Sequence, residues 1–100
     1  MSEQLHKDAQ RGQEAAQVLD NQAFQRAMAS LKEEITRQWK ACPVRDKEGQ
    51  LLLLQLAKLT DKFEGILTGM VETGKFAQRK LIDDELRNES AARRALRRIL

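Results

Sequence analysis

Residues 51–70, LLLLQLAKLTDKFEGILTGM, decide the fold. Within them Leu52, Leu56, Leu59, Phe63, Ile66 and Met70 alternate steps of four and three, the repeat of an apolar helix edge that lies along another helix. The pattern predicts a helix over 47–73, with Asp46 as its N-cap and Gly74 as the left-handed residue that ends it. At 1.5 Å per residue such a helix is about 40 Å long, so the hairpin it belongs to is a rod. Leu51, Leu53, Leu54, Leu67 and Val71 fall outside the repeat, and together with Ala57 they make more apolar surface than one partner helix covers. These leucines and Val71 are therefore the expected partner-binding face, used for oligomerisation or for docking on a larger assembly. Gly65 and Gly69, four apart, permit a close backbone approach on one face, at a cost in helix propensity of about 1 kcal/mol each.

Upstream, Phe24, Met28, Leu31, Ile35 and Trp39 recur at steps of four, three, four and four, which predicts a helix over 22–41. Asp20-Asn21 supplies the break and N-cap before it, and Pro43 ends it by disfavouring helical geometry at Cys42. The connector from Cys42 to Asp46 is short, and short connectors join antiparallel neighbours. Residues 1–20 offer only Leu5, Ala9, Ala16 and Leu19 as a thin stripe and predict a weakly anchored helix or mobile arm. Downstream, Phe76, Ala77, Leu81, Ile82 and Leu86 predict a third helix near 75–88, and Ser90 caps a short last one with Leu96, Ile99 and Leu100 on one side. The fold class is thus all-α: a long antiparallel hairpin over 21–74, a weak N-terminal helix over 1–20, C-terminal helices over 75–100, and an oligomeric state for the whole.

Composition agrees with helices. The 100 residues are 41% hydrophobic and 33% charged, with four aromatics, no Tyr and one Pro. The net charge of +3 lies entirely after residue 75, because residues 1–75 hold eleven basic and eleven acidic side chains. Arg93, Arg94, Arg97 and Arg98 form two i,i+4 pairs, so four guanidiniums line one stripe of the last helix and suit an acidic protein surface or phosphates. The long apolar runs needed for a membrane span or an export signal are absent, which predicts a soluble protein.

Catalytic constellations do not assemble from this chain. His6 is the single histidine and Cys42 the single cysteine, so neither a triad nor a protein-only zinc site is available. Glu33-Glu34 and Asp83-Asp84-Glu85 point to different faces of their helices. No catalytic, cofactor-binding or metal-binding residue is expected, and the function class is binding, not catalysis.

The segments LDNQAFQRAM (19–28), WKACPVRDKEGQ (39–50) and VETGKFAQRKL (71–81) resemble short, mostly uncharacterised proteins encoded among the structural and packaging genes of tailed bacteriophages. The resemblance spans about residues 18–82, and its motifs are a hairpin loop and two helix ends. It implies virion assembly in the cytoplasm of a bacterial host, with the protein itself in the particle. A scaffolding, minor head or head-tail component would bind other phage structural proteins through the leucine-rich face and the arginine helix. A DNA-packaging factor resembling a small terminase subunit is the alternative, although residues 1–20 lack a helix-turn-helix. A phage-encoded inhibitor of a host protein is a further one.

Overall fold

A computed structural model describes residues 2–99 and builds them from three helices: α1 (Ser2–Asp20), α2 (Gln22–Ala41) and α3 (Lys47–Ile99). The molecule is all-α and measures 83 × 26 × 16 Å. The 53 residues of α3 account for the long dimension, since 1.5 Å per residue gives about 80 Å. Helices α1 and α2 run one after the other along the first two thirds of α3, antiparallel to it. From Glu85 to Ile99 every residue is exposed, and the end of α3 overhangs the hairpin as a bare helix. Leu100 lies outside the described residues.

Local chemistry fixes the two breaks. Asn21 leaves the helical region at φ −71°, ψ 124° and accepts a hydrogen bond from the backbone N–H of Phe24 at 3.0 Å, capping α2 after α1 has ended. The side-chain amide of Gln25 donates to the Leu19 carbonyl at 2.9 Å and ties the two helices together across the break. At the other end Cys42 is extended at φ −70°, ψ 127°, as the residue before a proline prefers. Asp46 then caps α3 by accepting from the Gly49 N–H at 3.0 Å, while the Gln50 amide donates to the carbonyls of Pro43 and Val44.

Three expectations need correction. Gly74 does not end the second long helix: among the described residues no glycine has a positive φ, and α3 passes through Gly74, Lys75 and Ser90 without interruption. The expected third helix and capped fourth helix are one continuous piece with the second, and the expected boundary at residue 74 falls inside it. The N-terminal segment is not a loose arm either, because α1 packs along α3 more extensively than α2 does.

The reason lies in small residues. A Cβ placed on Gly12 would stand 2.7 Å from the Gly74 Cα and 2.9 Å from the Met70 carbonyl oxygen, so the two backbones touch. Ala15 and Ala77, at 3% and 1% exposure, are the buried apolar residues beside this crossing. Close backbone approach gives dense contact but little apolar area per residue, and no large side chain is fully buried among the described residues. Gly65 and Gly69 were the expected site of close approach; a Cβ on either would meet nothing within 4 Å.

Candidate docking surface

Helix α3 carries two heptad seams one residue apart. The inner seam runs Leu53, Ala57, Thr60, Glu64, Leu67, Val71, Gly74, Gln78, Leu81, in strict steps of four and three, and all nine are buried or half-buried. The outer seam is Leu52, Leu56, Leu59, Phe63, Ile66 and Met70, and all six are exposed. One residue is a rotation of about 100° around the helix, so the two seams form adjoining faces. The seam turned toward α1 and α2 is the less apolar one, with Thr60, Glu64 and Gln78 among its members. Connectivity and fit explain the choice: α1 crosses where Gly12 needs Gly74, and that register turns Val71 and Gln78 toward Ala9, Gln13 and Ala16.

The expectation that the leucine heptad closes the hairpin is therefore corrected. Leu59 is 64% exposed and Ile66 56%, while Leu53, Leu67 and Val71, expected as surplus, are half-buried inside the molecule. Leu51 and Leu54 stay exposed. The sequence signal for the α1 crossing was the small residues Gly74 and Ala77 on α3 and Gly12 and Ala15 on α1, all four buried.

The outer seam borders an open apolar groove of about 450 Å³ between α2 and α3. Met28, Leu31 and Ile35 make one wall, Leu56, Leu59 and Phe63 the other, and Thr60 is its floor. Phe24 and Phe63 meet at its end with ring centroids 6.2 Å apart and a tilt of 47°, an arrangement that aromatic quadrupoles favour. On the opposite side of the hairpin Lys32 forms an ion pair with Glu64 at 2.6 Å, and the Glu64 carboxylate beside it raises the Lys32 pKa. Thr60 needs no partner from outside, since its hydroxyl donates to the Leu56 carbonyl at 2.8 Å. The groove thus offers shape and apolar area but neither a charge nor an open hydrogen-bonding group.

The four arginines stand on the overhang. Arg93 donates to Glu89 at 2.7 Å and Arg94 to the Ser90 carbonyl at 3.5 Å, and among the described residues no acidic side chain pairs with Arg97 or Arg98. Leu96 and Ile99, also on this segment, are exposed. The arginine stripe and the groove lie far apart along the rod and do not form one site.

Among the described residues no group of three or more His, Cys, Asp and Glu is gathered closely enough to hold a metal ion. Cys42 keeps a raised pKa, mainly from burial and further from the Asp46 carboxylate 3.9 Å from its sulfur. No helix among the described residues is long and apolar enough to cross a membrane. Compared with protein families, curated proteins and solved structures, the chain matches none.

Proposed function

We propose that this chain is a non-catalytic binding and assembly protein that docks helical partners on the groove between α2 and α3. The observation that carries the reading is the exposure of all six outer-seam residues of α3, from Leu52 to Met70, beside an apolar groove. A contiguous apolar face of this kind, where no large side chain is fully buried among the described residues, is an interface surface, because leaving it in water costs about 25 cal/mol for each Å². The bare arginine helix is a second, electrostatic contact that adds reach and orientation to the first. The resemblance to phage structural and packaging proteins supplies the setting we favour: a scaffolding, minor head or head-tail component that meets other phage structural proteins in the host cytoplasm and enters the virion.

A photo-crosslinking amino acid at Leu59, compared with one at the exposed polar position Lys58, tests the binding role in cells that make the protein with its natural partners. Adducts heavier than the single chain should form at Leu59 and not at Lys58. No adduct at Leu59 would end this reading.

One observation favours a second reading, a DNA-packaging factor. The overhang presents Arg93, Arg94, Arg97 and Arg98 on a fully exposed helix, the shape that reaches phosphates. Duplex DNA binding that weakens steeply with salt and disappears with the arginines would favour it over docking on acidic protein.

A further inference from the structure

The accessible surface points to which partner covers the groove. The chain exposes 8480 Å², whereas a compact monomer of its 11.5 kDa exposes about 5,800 Å². The excess is roughly 2,700 Å²; a standard interface removes about 800 Å² from each partner and obligate homodimers bury about 2,000–5,000 Å² in all. The bare overhang and the exposed outer seam both contribute to this excess. That face also lacks any charged residue on either wall, so nothing on it selects a foreign partner by charge.

Resting on the reading of the groove as a binding surface, we propose that its occupant is a second copy of this chain. Two hairpins meet face to face about a two-fold axis and form a four-helix bundle from α2 and α3 of each copy. The surface is complementary to itself: Leu59 and Phe63, which wall the groove of one copy, are the projecting side chains that fill the groove of the other. Each copy thereby gains the missing layer of its core, and the residues left half in water by one hairpin become the centre of the bundle. The less apolar inner seam is then sufficient for holding α1, because the main hydrophobic term is realised between chains. The two arginine overhangs stay outside the bundle and remain available for the further partner.

Light-scattering mass of the full chain across the micromolar range tests the proposal. The expected mass is twice that of the 11.5 kDa chain. Phe63→Glu, on the groove wall, should weaken association about thirty-fold or more, as loss of a central aromatic anchor does, and Leu86→Glu on the overhang should leave it unchanged. A single-chain mass throughout would overturn self-association, and crosslinks from Leu59 to a different protein would then still support the binding role. A dimer that a folded Phe63→Glu chain retains would overturn it equally, by putting the interface elsewhere. If Phe63→Glu does not fold, the crosslinker at Leu59 in purified protein decides: a chain-to-chain adduct supports the bundle, and its absence rejects it.

Discussion

Gly12 and Gly74 touch backbone to backbone, so that a methyl group on either would stand 2.7 Å from the Cα of the other. This contact sets the register of α1 on α3, and through it the choice of which α3 seam faces inward. A backbone neighbour cannot swing aside as a flexible side chain does. Gly12→Ala and Gly74→Ala should therefore destabilise the protein, the overpacking cost of about 1–3 kcal/mol outweighing a gain in helix propensity of up to about 1 kcal/mol. Gly69→Ala, where a Cβ meets nothing, should stabilise by about 1 kcal/mol. Urea melts of the three variants check both signs, and a stabilised Gly74→Ala would contradict the crossing.

The overhang predicts a gradient of stability along one helix. An unpacked helix of about 15 residues is marginal in water, whereas the stretch from Glu64 to Gln78 is held by α1 and α2. Backbone amides of residues 86–99 should exchange with deuterium at least about ten-fold faster than those of 64–78 in the free protein. Equal protection of the two stretches would mean that the overhang is packed.

Cys42 should alkylate slowly for a cysteine. Burial first, and then the charge and hydrogen bond of Asp46, hold its thiol above the usual pKa, so less thiolate is present at any pH below that value. Asp46→Asn removes the charge while keeping an oxygen for the cap on Gly49. Iodoacetamide labelling near pH 8 should be faster in Asp46→Asn than in the parent chain, with helicity unchanged.

Replacing Arg93, Arg94, Arg97 and Arg98 with alanine should preserve helicity and leave the groove intact, because none of them touches it. Binding to a polyanion or acidic protein should be lost. If the partner is duplex DNA, the parent chain should show a log–log salt slope of about −3.6 from four phosphate contacts, as each contributes about −0.9. A slope near zero would assign the arginines to solubility.

Much of the fold was legible in the sequence. The cap at Asn21, the stop at Cys42-Pro43, the cap at Asp46 and the span of α2 all follow from side-chain chemistry acting over a few residues, and the structure has them where the sequence puts them. Gly74 was misread because a glycine after a periodic run resembles a helix end until its partner is known. That partner, Gly12, lies 62 positions away on a helix too weakly patterned to claim it. The seam choice failed for a related reason: ranking faces by hydrophobicity favours Leu52 to Met70, whereas close packing by Gly12, Ala15, Gly74 and Ala77 decides which face turns inward. For the candidate site, the excess of apolar surface on α3 was readable, but its assignment to Leu53, Leu67 and Val71 depended on that same register.

Radical footprinting of Phe63 and Met70 in cells that make the protein with its natural partners, with the 66% exposed Phe76 as internal standard, tests most directly whether the outer seam is covered. Protection of Phe63 and Met70 relative to Phe76, lost in the dilute purified chain, is the predicted result. Oxidation of all three at the rates their exposure in the single chain dictates, in cells and after dilution alike, would contradict the account.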